Sequence, residues 1–128
     1  MNGAIEFRDA VVAQDPEAAL ATLHDDVVFH SPAVFKPYAG RESVSALLRL
    51  VFETFEDFRY TDELAGEPHG LVFRARVGDR ELEGLDLIRL ADDGRIADLT
   101  VMIRPLSGLI ALAQALGPKL EAARESTI

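Results

Sequence analysis

The sequence predicts an α+β domain in which helices gather on one face of an antiparallel sheet. In the first half of the chain, apolar residues recur mostly at helical spacing, whereas from Phe58 onward they alternate with polar residues, as in half-buried strands. Two tight-turn signals, Gly78-Asp79 and Asp92-Asp93-Gly94, separate three of these strands. Connections this short allow only antiparallel neighbours. With 128 residues, the chain fits a single domain.

Capping residues set the limits of the predicted helices. Asp15 can accept the free amides of a helix whose first residue is Pro16, and Ser107 can do the same for the helix after the last strand. Gly117-Pro118 is a helix-stop signal. The predicted helices cover residues 3–13, 15–24, 41–55 and 107–117, and the third has the clearest amphipathic pattern.

The other apolar segments alternate with period two between turn residues, which predicts strands. The predicted strands cover residues 27–31, 58–64, 71–77, 81–90 and 95–104. Residues 32–40, which include Phe35 and Tyr38, have the composition of a loop. No stretch has the composition of a linker. We therefore expect one domain over residues 3–118 and a short polar tail over residues 119–128.

Composition and charge exclude several classes of protein. Thirteen Lys and Arg residues stand against twenty-two Asp and Glu residues, so the formal net charge is −9 and phosphate backbones or anionic lipids would be repelled. We therefore expect no nucleic-acid or membrane partner. The absence of cysteine excludes disulfides, iron–sulfur clusters and a thiol nucleophile. The sequence shows neither a signal-peptide pattern nor an apolar run long enough to span a bilayer, so a cytoplasmic location is expected.

The strand over residues 81–90 is the most informative segment for chemistry. Alternation places Asp86 on the face toward the helices, where the other residues of the strand are apolar or glycine. A carboxylate in apolar surroundings is costly unless it is paired, protonated or next to a cavity. Burial would raise its pKa, as in enzymes that use a carboxyl group as an acid or base near neutrality. Alternatively, Asp86 accepts hydrogen bonds and only stabilises the core.

Tyrosine and histidine side chains are weaker candidates. Tyr60 and Tyr38 can each donate a hydrogen bond into a pocket, although a buried tyrosine more often has a structural partner. His30 should point away from the helices, and His24 and His69 lie beside turn signals and are expected on the surface. The candidate catalytic residues are therefore Asp86, Tyr60 and Tyr38.

The sequence contains no motif for a metal, a nucleotide or a covalent mechanism. The three histidines are far apart, and no His-x-His or His-Glu-x-x-His spacing occurs. The glycines form no phosphate-binding loop, and no serine lies in a nucleophile-elbow pattern. We therefore expect neither a metal site nor a cofactor.

Three local patterns occur in this order along the chain. The first is Asp-Pro-Glu-Ala-Ala-Leu-Ala-Thr-Leu-His-Asp-Asp-Val-Val-Phe at residues 15–29, and the second is Tyr-Ala-Gly-Arg-Glu-Ser-Val at residues 38–44. The third is Gly-Leu-Asp-Leu-Ile-Arg-Leu at residues 84–90, followed by Asp-Gly-Arg-Ile at residues 93–96. Together they resemble the nuclear-transport-factor-2-like superfamily and, within it, the SnoaL-like and ketosteroid-isomerase-like branch. The resemblance implies a cone-shaped two-layer fold that encloses one apolar pocket, and it leaves open which reaction, if any, is catalysed.

Matched position by position, the resemblance places Asp86 where ketosteroid isomerases carry the protonated aspartic acid of their oxyanion hole, a known case of a carboxyl group kept neutral by its surroundings. It places Ser31 at the general base and Phe7 at the catalytic tyrosine, and neither side chain can perform that chemistry. Steroid isomerisation by the usual catalytic set is therefore not expected. Arg74 and Arg76 should face away from the pocket, unlike the arginine of the Asp-Arg-Asp set in related epoxide hydrolases.

The predicted pocket suits a small apolar or polycyclic molecule, because its lining is apolar with few polar groups. The predicted ligand-binding residues are Phe7, Phe29, Ser31, Phe35, Phe55, Phe58, Phe73, Leu99 and Val101. Three functions fit this pattern. The first is an isomerase, cyclase or lyase that uses Asp86 in acid/base chemistry. The second is a non-catalytic ligand-binding module, and the third is a dimerisation module.

The outer face of the sheet predicts self-association. Leu85 and Leu87 point to this face, and Thr100 and Met102 should share it one strand over. An exposed apolar patch of this kind is typical of an interface rather than of a free surface. We therefore expect a homodimer through this face, which the resemblance also implies.

Overall fold

The chain forms six strands and four helices in the computed structural model, which describes residues 1–125. The helices are α1 (Gly3–Val12), α2 (Pro16–Leu20), α3 (Arg41–Thr54) and α4 (Leu106–Glu125). The strands are β1 (Leu23–His30), β2 (Tyr38–Ala39), β3 (Glu56–Leu64), β4 (His69–Val77), β5 (Arg80–Leu90) and β6 (Ile96–Arg104). They build one curved, unclosed sheet in the order β2-β1-β6-β5-β4-β3, the cone-shaped α+β architecture that the sequence predicts.

The sheet joins an antiparallel meander to one parallel pair. Strands β3 to β6 form the meander, and the tight turns predict the antiparallel pairing of its last three strands. Strand β1 lies on the other side of β6 and runs parallel to it, with Phe29 opposite Leu99. The two-residue strand β2, which no alternation predicts, pairs Tyr38 with Phe29. The parallel pair thus brings the end of β1 next to the middle of the meander.

Helices α1, α3 and α4 lie on the inner face of the sheet, where the predicted alternation on β5 is confirmed. Leu82, Gly84, Asp86 and Ile88 are buried on this face, and the residues that alternate with them are more exposed. The side chains of Asn2 and Asp15 cap α1 and α2, because Asn2 accepts hydrogen bonds from two backbone N–H groups of the first turn of α1 and Asp15 accepts one in α2. None of the helices within residues 1–125 is long and apolar enough to cross a membrane.

The second helix is shorter than predicted, and the strand after it starts earlier. Helix α2 ends at Leu20, and β1 begins at Leu23. The carbonyl oxygen of Thr22 accepts a hydrogen bond from the backbone N–H of Ile96 at 2.9 Å, and Leu23 lies opposite Ile96. Pairing with a strand that is remote in sequence therefore overrides the local helical pattern.

The expected surface position of His69 is wrong. Its side chain is buried at the start of β4, with Nε2 at 2.6 Å from Oε2 of Glu63. The same carboxylate accepts two hydrogen bonds from Arg8 of α1, at 2.8 and 2.9 Å. Arg8 and then His69 hold the pKa of Glu63 below its usual range. This cluster ties α1 to β3 and β4, which explains why a residue beside a turn is buried.

Helix α4 does not end at Gly117-Pro118, so the predicted stop is wrong. It begins at Leu106 and continues to Glu125, so the first part of the predicted tail over residues 119–128 is helical. Residues 126–128 of that tail lie outside the described residues. Beyond the proline, Leu120 packs against the core, and Lys119 Nζ donates a hydrogen bond to Thr54 Oγ1 of α3 at 2.8 Å. These tertiary contacts outweigh the local preference to end the helix.

We predict that Pro118→Ala stabilises the protein. A proline inside a helix lacks the N–H donor and crowds the preceding turn, at a cost of about 3 kcal/mol relative to alanine, so part of this amount, about 1–2 kcal/mol, should be recovered. Urea unfolding followed by circular dichroism measures the difference in the free energy of unfolding. An unchanged or lower value would mean that the helix ends at Gly117.

Candidate functional site

The inner face of the sheet and helices α1, α3 and α4 enclose a cavity of about 240 Å³. Nearly all predicted site residues line it: Phe7, Phe29, Ser31, Tyr38, Phe55, Phe58, Tyr60, Phe73, Asp86, Leu99 and Val101. These residues come from α1, from all six strands and from the segments beside them, so the fold brings together side chains that are far apart in sequence. Their roles toward a ligand are still predictions.

Sequence reasoning missed the contribution of two helices to the lining. Helix α3 adds Leu47, Leu48, Val51 and Phe52, and helix α4 adds Leu109, Leu112, Ala113, Leu116, Gly117 and Leu120. The apolar stripes of both helices are visible in the sequence. A stripe predicts burial, but it does not distinguish a residue that borders an empty space from one that fills the core.

Phe35 does not line the cavity, contrary to its prediction as a ligand-binding residue. Its side chain is fully exposed, and it borders a shallow groove on the outside of the sheet with Val34 and Met102. The Ser31 hydroxyl accepts hydrogen bonds from the backbone N–H groups of Ala33 at 3.0 Å and Val34 at 3.2 Å. This turn directs the following loop outward, so the aromatic side chain leaves the cavity.

Asp86 lies on the cavity wall in apolar surroundings. Its side chain is buried, and the residues opposite it on β4 and β6 are Leu71 and Val101. No hydrogen bond or ion pair joins its carboxyl group to another side chain within residues 1–123, and desolvation raises its pKa from 3.8 to about 7. The alternative that Asp86 is a charged structural acceptor therefore finds no donor among these side chains. The group is poised to hold or release a proton near neutrality.

The Tyr60 hydroxyl is the second polar group at the cavity. It is buried and has no hydrogen-bond partner among the described residues. Burial raises its pKa first, and the negative charge of Asp86 raises it further, so the phenol stays protonated and is a donor at physiological pH. Tyr38 contributes its ring, which lies 6.3 Å from that of Phe29 between centroids. Asp86 and Tyr60 are therefore two polar groups with unused hydrogen-bonding capacity in one apolar space.

The other candidate polar residues lie outside the cavity. His30 points to the outer face, where its Nε2 lies 3.0 Å from Oδ2 of Asp98. Arg76 binds Glu56 and Asp57, and Arg74 is exposed on the outer face, as predicted. In the part of the chain that the structure describes, no three His, Asp or Glu side chains are grouped to hold a metal ion.

The outer face of the sheet carries the predicted apolar patch. Leu85 lies opposite Met102, and Leu87 lies opposite Thr100. About half of the Met102 side chain is exposed, and the three other residues are half-buried. The alternation of β5 thus gives the strand an inner face with Asp86 and an outer apolar face.

Comparisons with known proteins agree with the observed fold. A family profile described as a SnoaL-like domain matches residues 4–99. A steroid delta-isomerase from Pseudomonas aeruginosa has 44% sequence identity and a TM-score of 0.89, over 96% of this chain and 92% of that one. A protein conserved in bacteria with a cystatin-like fold, from Silicibacter pomeroyi, has 32% identity and a TM-score of 0.87, over 93% of this chain and 85% of that one.

A more distant structure shares the fold alone. The epoxide hydrolase/cyclase-like enzyme SalBIII, which acts in pyran ring formation in the polyether salinomycin, has 14% identity and a TM-score of 0.66. The match covers 83% of this chain and 90% of that one. No curated protein matches the chain.

We predict that the contribution of Asp86 to the stability of the parent protein is lost as pH rises from about 4 to about 7. Because the pKa of Asp86 is higher in the folded state than in the unfolded chain, the folded state binds this proton more tightly, and its contribution is complete at low pH and lost as the group ionises. The full loss corresponds to about 4 kcal/mol. Asp86→Asn lacks this titration and should be the more stable protein at pH 8.

Denaturant unfolding of both proteins between pH 4 and pH 8 measures this difference. The subtraction of the two curves removes other titrating groups, since Asp86→Asn retains them all. A variant that is strongly destabilised at pH 8, with no change in the difference across the pH range, would show that Asp86 is ionised and structurally required.

Proposed function

The chain belongs to the SnoaL-like domain family, and from this premise we propose that it binds a small apolar ketone in the cavity and transfers a proton on it with Asp86. The fold of this family includes isomerases and cyclases. The observation that carries the proposal is a pair of polar groups at one apolar cavity, the Asp86 carboxyl and the Tyr60 hydroxyl, for which the described side chains provide no hydrogen-bond partner. Such a pair has a use only when a ligand offers a complementary polar atom.

The size of the cavity supports a small ligand. Its volume of about 240 Å³ is below the range of about 300–1,000 Å³ that is typical of pockets for drug-sized molecules. The lining is aromatic and aliphatic apart from Ser31, Asp86 and the two tyrosines, so the ligand skeleton is apolar. This favours a skeleton of one or two fused rings over a larger polycyclic one.

The proposed chemistry is a proton shift through an enolate. Ionised Asp86 takes the proton from the carbon next to the carbonyl group, and the electron pair of that C–H bond moves onto the carbonyl oxygen. The Tyr60 hydroxyl donates a hydrogen bond to this oxygen and stabilises its developing charge. Protonated Asp86 then returns the proton to the same carbon or to a conjugated one. The step needs no cofactor, and charge and protons balance.

Asp86 has to be both acid and base in this scheme. Ser31, at the position of the usual general base, already accepts two backbone hydrogen bonds, and Phe7 has no hydroxyl. Among the described lining residues Asp86 is the only carboxylic acid. The steroid delta-isomerase from Pseudomonas aeruginosa supports the class of an enolisable ketone for this chain, without fixing its skeleton.

A specific observation favours a second candidate function, a non-catalytic ligand-binding module. The cavity lining that the structure describes offers one group that titrates near neutrality, whereas most acid/base enzymes divide the two proton transfers between two groups. A neutral Asp86 and Tyr60 would then only hold the ligand oxygen. The experiment that follows separates the two functions.

We predict that the protein prefers 1-tetralone to tetralin, two bicyclic molecules that differ by one carbonyl oxygen. A hydrogen bond from Tyr60 or neutral Asp86 to this oxygen should strengthen binding of the ketone by about tenfold. Titration calorimetry measures both dissociation constants. Equal affinities in the parent protein would overturn the proposed function.

The bound ketone should also exchange its α-hydrogens with solvent. In D₂O, the parent protein should catalyse deuterium incorporation next to the carbonyl group, and the rate should rise with pH as Asp86 ionises near pH 7. Proton NMR measures this exchange, with Asp86→Asn as the inactive control. Tight binding of 1-tetralone without exchange would establish the non-catalytic module.

We propose further that the protein is a homodimer that associates through the outer face of its sheet, and that it is located in the cytoplasm. The patch formed by Leu85, Leu87, Thr100 and Met102 supports self-association, because exposed apolar residues at the centre of a sheet face are typical of interfaces. The lack of cysteine is consistent with a reducing compartment.

Light scattering should give about twice the chain mass of 14.0 kDa at micromolar concentration. Replacing Leu85 and Leu87 by glutamate should halve the mass, because four charges would then be buried at the contact. Ile110→Glu is the matched control, since Ile110 is exposed on α4 and should leave the mass unchanged. A monomeric parent protein would contradict this prediction.

A further inference from the structure

We propose that Gly84 is a positioning residue that sets the direction of the Tyr60 hydroxyl through the rings of Phe73 and Phe58. The inference rests on the proposed function, because it concerns how the donor for the ligand oxygen is held. It assigns a role at the site to a residue that has no side chain and to two rings that otherwise count only as apolar lining.

Gly84 provides the space in which the ring of Phe73 lies. The two residues are directly opposite on β5 and β4. A Cβ atom at position 84 would lie 2.1 to 2.7 Å from three atoms of the ring, far inside van der Waals contact. Phe73 is buried, so its ring cannot move toward solvent. Any side chain at position 84 would therefore push the ring toward its neighbours in the cavity wall.

Those neighbours connect Phe73 to Tyr60. The Phe58 ring stacks on Phe73 with a centroid distance of 5.0 Å and an interplanar angle of 26°. The Tyr60 ring meets Phe58 edge to face, at 5.0 Å and 87°. Phe55 closes the group, at 5.8 Å from Phe58 and 5.7 Å from Phe73. Offset stacking and edge-to-face contacts are favourable geometries, and each restricts the orientation of the next ring.

Ring packing is what the structure offers to hold the Tyr60 side chain. The hydroxyl has no hydrogen-bond partner within the described residues, so no polar contact fixes its direction. The series of contacts starts at Gly84, two residues from Asp86 on the same face of β5. One strand therefore carries the carboxyl group directly and sets the position of the phenol indirectly. A displaced stack would move the phenol relative to Asp86 and weaken the hydrogen bond from the phenol to the ligand oxygen.

The test measures the dissociation constant of tetralin divided by that of 1-tetralone, so a higher ratio means a stronger preference for the ketone. The ratio isolates the hydrogen bond to the ketone, because a general loss of cavity shape weakens both ligands. Tyr60→Phe should lower the ratio by about tenfold. Gly84→Ala should lower the ratio by at least about threefold, which is half of the tenfold effect on a logarithmic scale. The variant does this although the substitution changes no polar group at the site.

Gly70→Ala is the matched control. Gly70 lies on the neighbouring strand, and a Cβ there would meet the flexible tip of Leu64 at 3.1 Å, away from the cavity. This variant should keep the parent ratio and report what a glycine-to-alanine change in this sheet does by itself. If Gly84→Ala fails to fold, Phe58→Leu removes the edge-to-face contact without adding volume and should lower the ratio similarly.

The double variant Gly84→Ala/Phe73→Leu separates positioning from packing. Leucine is smaller than phenylalanine and should relieve the clash, so thermal stability should recover relative to Gly84→Ala. The ratio should stay low, because the stack is gone. A folded Gly84→Ala or Phe58→Leu protein with the parent ratio, beside a low ratio for Tyr60→Phe, would overturn the proposal. A parent ratio of one would overturn the proposed function itself.

Discussion

The rest of this structure depends on the burial of the Asp86 carboxyl group without a partner. The residues opposite it on both adjacent strands are apolar, and none of the described side chains donates a hydrogen bond to it. A single donor on β4 or β6 would offset part of the desolvation penalty. Its absence means that the free energy of the folded state is raised whenever Asp86 is ionised, and that a ligand can supply what the protein does not.

A cavity beside this group is a second departure from an optimal core. An empty space forfeits dispersion contacts on all sides of its wall, and a domain of this size has few contacts to spare. The aromatic residues of β3 and β4 partly compensate, since Phe58 and Phe73 stack on each other and keep their shape when the space is empty. The wall is thus rigid where it faces the ligand, which limits the reorganisation that binding requires.

Much of the site could be predicted from one strand, because alternation is a local property. The pattern from Leu82 to Ile88 placed Asp86 inside without reference to the rest of the chain, and the structure confirms it. The parallel pairing of β1 with β6, which brings Phe29 beside Leu99, could not be predicted from any local pattern. This pairing joins two strands that are separated by most of the chain, so no local pattern contains it.

Three incorrect predictions, on His69, on the end of helix α4 and on Phe35, failed because a contact overrides the local sequence signal. His69 was expected outside because it follows a turn, yet Glu63 and Arg8 supply it with partners from β3 and α1. Helix α4 continues past Pro118 because α3 provides a contact. Phe35 lies outside because the Ser31 hydroxyl turns the loop. In each case a tertiary or side-chain contact overrides a local signal, and such contacts are not visible in sequence spacing.

The two faces of β5 constrain each other. A shift of the strand by one residue would exchange its faces, placing Leu85 and Leu87 in the cavity wall and Asp86 outside. That register would hydrate the carboxyl group, but it would also expose Leu82 and Ile88 and bury the charges of Glu83 and Arg89, so it is unfavourable overall. The Phe73 ring opposes it, since the ring fits only against a residue without a side chain and Gly84 is the one that lies opposite. If the outer face associates as proposed, the second copy also shields Leu85 and Leu87 from water, which further stabilises the observed register. The glycine that positions the stack and the leucines on the outer face would then both act to keep an unfavourable carboxyl group at the cavity.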